Sequence, residues 1–227
     1  MDEAIATLDQ MILLPDYDAA DTQDIMAIFW DASADEISRK LYDDSANSWA
    51  EASIATSMTE LGTGTAFANF AVAPDPTNTR HVLVAWSATD TLNADLRCWT
   101  IDAGAITEVT NVVLNSTDDQ GLCAVGIDTV TGYWHAFYGG KSDGSETWNT
   151  ALNIYTKVSR DAGTTWGPET KMTTGTADTA TLRHLFTCPR FTKAPIFAYM
   201  RDGAQTDDLR VNIDMTEPRA TYVAGVV

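Results

Sequence analysis

Apolar residues along this chain are gathered into short runs that recur. Four of them, 26-MAIFW-30, 82-VLVAW-86, 134-WHAFY-138 and 196-IFAYM-200, each end on a large side chain. Those side chains, Trp30, Trp86, Tyr138 and Met200, stand 56, 52 and 62 positions apart. Apolar runs this short, bounded by turn-forming residues, predict buried strands rather than helices. A polar segment follows each run (DASADE, SATDTLNAD, GGKSDGSETWN, RDGAQTDD), and then a second, partly alternating run: 37-ISRKLY-42, 96-LRCWTI-101, 152-LNIYTKV-158 and 209-LRVNI-213. Another apolar run precedes each of the first: 10-QMILLPDY-17, 68-ANFAVAP-74, 121-GLCAVGI-127 and 182-LRHLFTC-188. An outer edge strand is visible in 108-EVTNVVL-114. Helical periodicity of useful length is absent.

Four strands in about 50 residues, repeated, have the dimensions of β-propeller blades. The expectation is therefore all-β: a small β-propeller of about four four-stranded blades. It forms a single domain over 1–227, with blades at approximately 1–60, 61–115, 116–178 and 179–227. The low-complexity stretch 173-TTGTADTAT-181 reads as an inter-blade loop. A large residue recurring once per blade is what blade-to-blade packing requires. Trp30, Trp86, Tyr138 and Met200 are thus assigned to the core ahead of a carbohydrate-stacking set.

Composition narrows the partners. The 227 residues are 44% hydrophobic and 20% charged, enough to bury a core. Lys and Arg total 14 against 32 Asp and Glu, a net charge of −18. Such a surface repels nucleic acid and anionic lipid. The Asp-rich run 16-DYDAADTQD-24 lacks the spacing and closing Glu of an EF-hand loop. Cys98, Cys123 and Cys188 are too scattered for a zinc site and, being odd in number, do not make a complete disulfide framework, and read as buried hydrophobes. No metal and no cofactor is expected. No window suits a membrane span. The N-terminus, MDEAIATLDQ, has neither a basic nor an apolar segment of the secretory type.

After the second run of each repeat comes an Asp, three times within a small turn: Asp161-Ala162-Gly163, Asp102-Ala103-Gly104 and Asp44-Ser45-Ala46, with Trp49 as far from Asp44 as Trp166 is from Asp161. In the fourth repeat only Asp214 is kept. Gly163 suits a backbone position needing positive φ, and Asp161 suits an Asx-type closure on its own turn's N–H groups. The best copy, 159-SRDAGTTWGPE-169, resembles the Asp-box of sialidases and other propellers built from BNR repeats. It matches S/T-x-D-x-G-x-T-W at Ser159, Asp161, Gly163, Thr165 and Trp166. The other copies are degenerate: Tyr42 stands where Ser would, Ala46 where Gly would, and no Trp follows Gly104. The resemblance implies that these boxes lie on the propeller's periphery and brace blades, away from a central channel where catalysis occurs in the family.

Sialidases use an Arg in an R-I-P context, an arginine triad, a Tyr/Glu nucleophile pair and an Asp acid/base. This chain has no R-I-P, and its nine arginines are scattered. Arg183 and Arg190, flanking the innermost strand of the fourth repeat, are the candidates for anion contact in the channel. Trp148, in the polar loop 143-DGSETWNT-150, is a candidate ligand contact. His81, His135 and His184 share no spacing that suggests a triad or metal, and G-x-S-x-G, P-loop and G-x-G-x-x-G motifs are missing. The reading is a non-enzymatic structural or recognition propeller, contacting protein or glycan through loops on one face. A virion or tail component of a phage, or another extracellular module, is the favoured setting. The alternatives are a sialidase-like glycoside hydrolase and a self-assembling structural protein whose blade edges pair with other copies.

Overall fold

The computed structural model describes residues 11–16, 25–31, 36–56, 70–88, 94–102, 105–116, 122–143, 145, 153–173, 181–192, 195–202 and 207–212. It is built from antiparallel sheets made of consecutive strands. Sheet I is formed by β1 (Met11–Pro15), β2 (Ile25–Asp31), β3 (Glu36–Asp43) and β4 (Ser48–Ala55), in that spatial order. Sheet II repeats the pattern with β5 (Phe70–Asp75), β6 (Arg80–Ala88), β7 (Ala94–Asp102) and β8 (Ile106–Ser116). Sheet III contains β9 (Cys123–Asp128), β10 (Trp134–Gly139), β11 (Ile154–Ser159) and β12 (Thr170–Lys171). Sheet IV begins with β13 (Thr181–Thr187). The next strand, β14 (Arg190–Phe191), leaves it to pair in parallel with β9, and β15 (Phe197–Asp202) and β16 (Asp207–Asn212) return to sheet IV. This is the predicted propeller architecture. Within the span of about 179–227 expected for the fourth blade, β14 joins sheet III.

Burial explains why each strand has its sequence. The second strand of a sheet is covered on both faces by its neighbours, so β6 is buried at every residue from His81 to Trp86 and reads as an unbroken apolar run. The outermost strand meets solvent, and β4 is exposed over Ser48–Glu51. Packing between sheets follows chain order. Met26, Ile28 and Trp30 of sheet I meet Leu83, Ala85 and Trp99 of sheet II. Val84, Trp86 and Cys98 of sheet II meet Val125, Ala136 and Tyr138 of sheet III. Ala124 and Phe137 of sheet III meet Leu185, Phe197 and Tyr199 of sheet IV. First strands β5, β9 and β13 approach one another across the sheets, which puts them nearest the propeller axis.

The register separates residues that the sequence pattern had grouped. Pro15 pairs with Ile25, Pro74 with His81 and Ile127 with Trp134. Counting from there, Trp30 and Trp86 are equivalent, but their counterpart in sheet III is Gly139. Tyr138 lies one step earlier and faces the preceding sheet. Successive strand residues point to opposite faces, so one step reverses the direction. Trp86 therefore points forward and Tyr138 backward, and the two meet edge-on at 6.0 Å in the same interface. Trp30, Trp86 and Tyr138 are all buried.

Candidate functional site

Three zones bring polar or strained groups together. The first is the turn after β11. The Ser159 hydroxyl donates to Asp161 Oδ1 at 2.9 Å and accepts from the Gly163 N–H at 2.8 Å. Asp161 accepts from the Thr165 N–H at 2.8 Å and from its hydroxyl at 2.6 Å. These bonds, the Thr165 hydroxyl first, hold the Asp161 carboxyl below its usual range. Gly163 sits at φ +84° and Ala162 at +57°. The turn also braces the sheet before it. Trp166 Nε1 donates to the Thr110 carbonyl at 2.8 Å, and the Thr110 hydroxyl donates to the Thr164 carbonyl at 2.8 Å. Ser159, Asp161, Gly163, Thr165 and Trp166 thus form one hydrogen-bonded unit that ties sheet III to the outer strand of sheet II.

The degenerate copies differ in detail. Asp102 accepts from the Ala105 N–H at 3.0 Å, and its own carbonyl takes the buried Arg39 guanidinium at 3.2 Å, another link between neighbouring sheets. Gly104 lies outside the described residues. In sheet I the carboxylate that closes the turn is Asp43, not Asp44 as the spacing suggested. Asp43 accepts from the Ala46 N–H at 2.8 Å and the Ser45 hydroxyl at 2.7 Å. The difference arises because Asp43 already pairs with Ser48, making the hairpin one residue tighter at its start. Among the described residues Trp49 is not joined to a neighbouring sheet. It tilts over Tyr42 at 5.0 Å and stays 38% exposed, because it pairs with Tyr42 within the hairpin.

The second zone is the axis side of β9. Here β14 adds itself in parallel: Ile127 N–H donates to the Pro189 carbonyl at 3.0 Å and Thr129 N–H to the Phe191 carbonyl at 2.8 Å. Phe191 is buried, with His135 edge-on to its ring at 5.1 Å. A Cβ at Gly126 would stand 2.8 Å from the Cys188 carbonyl oxygen and 3.0 Å from the Phe191 ring. Only glycine admits β14 this close. Arg190 is exposed on β14; Arg183 lies within β13 rather than flanking it, and its side chain, like all of Trp148, is outside the described residues. Among the described residues nothing brings Arg190 together with Arg183 or Trp148. Sequence reasoning missed β14, since two residues of pairing leave no periodic signal.

The third zone is a pair at the end of β10, the buried Tyr138 and the half-buried Glu169. The Tyr138 hydroxyl donates to Glu169 Oε2 at 2.5 Å, and the Ser142 N–H donates to the same oxygen at 3.0 Å. Burial, then the bond to Glu169, pushes the Tyr138 phenol far above its ordinary value. Lys157, half-buried nearby, donates to the Val112 carbonyl at 2.9 Å. A recurrent signal that did point to polar structure was overlooked: 15-PD-16, 74-PD-75 and 127-ID-128 end the first strand of three sheets. Asp75 accepts from Asn78 at 2.8 Å and Arg80 at 3.2 Å, and Asp128 from the Val130 N–H at 2.9 Å, so these acids close the first hairpins. Among the described residues no three His, Cys, Asp or Glu side chains converge as a metal site, and no helix is long and apolar enough to cross a membrane.

No protein-family model matches the chain, and no curated protein matches it. Solved structures do. An endo-arabinase from Bacteroides thetaiotaomicron is similar at 13% identity and TM-score 0.53, over 88% of this chain and 74% of that one. An exo-β-1,3-galactanase from Clostridium thermocellum is similar at 10% identity and TM-score 0.52, over 91% and 46%. A Hadza microbial sialidase overlaps more loosely, at 12% identity and TM-score 0.34, over 84% and 54%. The chain thus spans about half the length of the galactanase and the sialidase. At these identities the likeness establishes fold alone, and the fold is that of the propeller glycosidases.

Proposed function

We propose that this chain is a recognition or structural propeller without catalytic activity, contacting a protein or glycan surface through its loops as part of a virion or another extracellular assembly. The observation that carries the reading is β14. A segment of the chain itself occupies the axis-side edge of β9, seated by Gly126 and Phe191. In the Asp-box family the axis is where substrate is held. Of the first strands, MILLP, FAVAPD and CAVGID are almost wholly apolar, while the fourth, TLRHLFT, carries Arg183 and His184. Their acids, Asp75 and Asp128, are engaged in their own turns.

The competing reading is a sialidase-like glycoside hydrolase. It needs a tyrosine whose proton a carboxylate draws off. Tyr138 and Glu169 have the right chemistry, yet Tyr138 is buried between sheets II and III, and burial and the bond to the half-buried Glu169 push its phenol far above its ordinary value. The test is turnover of fluorogenic sialosides, arabinosides and galactosides, run beside a glycan-array screen. Binding to a glycan without turnover, or to neither, fits the proposal. Hydrolysis of any of the three substrates that survives repurification would overturn it.

A further inference from the structure

The outward face of sheet I has the make-up of a face that receives another blade. The hairpin register makes Met11, Leu13, Ile25 and Phe29 of β1 and β2 equivalent to Phe70, Val72, His81 and Ala85 of sheet II, and to Cys123, Val125, Trp134 and Tyr138 of sheet III. In sheets II and III these positions pack on the sheet before them: Phe70, His81 and Ala85 are buried, as are Cys123, Val125, Trp134 and Tyr138. In sheet I, Met11 is 43%, Leu13 59% and Ile25 44% exposed. The strip formed by β1 and Ile25–Phe29 carries no charge, on a chain whose net charge is −18. On the same face Lys40 lies over the Phe29 ring at 5.6 Å and is paired with Glu51 at 3.3 Å, and Asp31 and Glu36 stand opposite each other at the far end of β2. A contiguous apolar strip on so acidic a surface marks an interaction site.

The other end of the sheet series offers a complement. Leu185 of β13 turns toward sheet III and is buried, so its neighbour Phe186 turns the opposite way, and it is 57% exposed. Met11, Leu13, Ile25 and Phe186 are all exposed, so among the described residues neither end has its apolar face fully covered. We propose that a second copy of this chain covers them: sheet IV of one copy docks, through the Phe186 side of β13, on the β1–β2 face of the next. The contact continues the sheet-on-sheet packing already present three times within each copy, and the strip's lack of charge spares it the mutual repulsion of two acidic chains. The inference is independent of whether the protein is catalytic. An interface of this kind is heterologous, and it closes into a ring or grows into a fibre according to its rotation.

The test is sedimentation equilibrium of the full chain up to about 100 μM, well above a Kd of about 10 μM. The variants are Leu13→Asp and Phe186→Asp, both at exposed positions, with circular dichroism confirming that each is folded. Wild type is expected to associate, and each variant alone to weaken association at least about tenfold. Mixed together, the two variants should form a one-to-one dimer, because one supplies an intact sheet IV and the other an intact sheet I. A wild type that stays monomeric overturns the proposal. So does a Phe186→Asp variant that still associates, which would put sheet I against sheet I, or a mixture that fails to pair. If Leu13→Asp proves unfolded, Met11→Asp replaces it, with the same outcomes deciding.

Discussion

Replacing Gly163 by alanine tests whether the Asp-box turn braces one sheet against the next or merely closes a hairpin. The new Cβ would stand 2.7 Å from Cζ3 of Trp134 and 2.8 Å from Cγ2 of Val109, one in sheet III and the other on the outer strand of sheet II. Neither atom is the free end of a flexible side chain, so the interface must open. The backbone adds strain, since φ is +84°. A left-handed alanine costs about 1–2 kcal/mol. Overpacking a formed interface costs a further 1–3 kcal/mol or so. Together these predict a loss of roughly 2–5 kcal/mol, or about 5–15 °C in Tm for a chain of this size. The control is one residue away. Ala162→Gly relieves an alanine at φ +57°. The gain is offset by the extra freedom of the unfolded chain, leaving a change within about 1 kcal/mol. Urea unfolding followed by tryptophan fluorescence reads both. A Gly163→Ala midpoint within error of wild type would refute the bracing argument. So would equal losses in the two variants, which would leave only local turn strain.

The remaining expectations concern protons, thiols and the β14 segment. Burial holds His135 neutral in the fold down to about pH 4, against 6.5 ordinarily. The unfolded chain takes up that proton first, so stability falls as pH drops from 6.5 to 4, by up to about 3 kcal/mol. His135→Phe keeps the ring packing and should flatten that slope in urea titrations at pH 7 and 4.5, leaving the smaller part due to His81, which burial shifts in the same direction. Asp161 is shifted the other way for an acid: its stabilisation is present above pH 3.8 and is lost as pH falls through its lower folded value. The stability gap between wild type and Asp161→Asn should therefore shrink on acidification below pH 3.8. Cys98 and Cys123 are buried, Cys123 with its thiol pushed up to about 12, while Cys188 is exposed. A thiol reagent should accordingly label one cysteine in the native protein and three after denaturation. Gly126→Ala should lift the 188–191 segment off β9 and speed tryptic cleavage after the exposed Arg190; an unchanged rate would mean that β14 is not held by that contact.

The strand content was legible because burial in this architecture is one-dimensional. Second strands covered on both faces became the apolar runs VLVAW and WHAFY, and the sheets formed where those runs stood. The complete Asp-box was legible for a related reason. Its bonds are local, from Ser159 to Thr165, so the residue spacing encodes the geometry. Asp44 shows the limit of that logic. A spacing match of Asp to Trp cannot tell which of two adjacent aspartates closes the turn, because the choice depends on where the hairpin pairs.

Direction was harder to read than position. Tyr138 looked like the partner of Trp30 and Trp86, and one step of register turned it to the opposite face, where it meets Trp86 rather than repeating it. The same step that obscured the pattern exposes its meaning. Once the sheets are aligned by their hairpins, each has a face that packs forward and a face that packs backward, and alternation assigns every residue of β1 and β2 to one or the other. Only sheet I has its backward face open among the described residues, and the exposed residues of β1 and β2 on it are Met11, Leu13 and Ile25. A solvated outer face would have replaced these by polar residues at no cost to the interface with sheet II, which uses the alternate positions Ile12, Leu14, Met26 and Ile28. That apolar side chains remain at positions free to change is the strongest physical reason to seek a partner for this face before seeking a substrate at the axis.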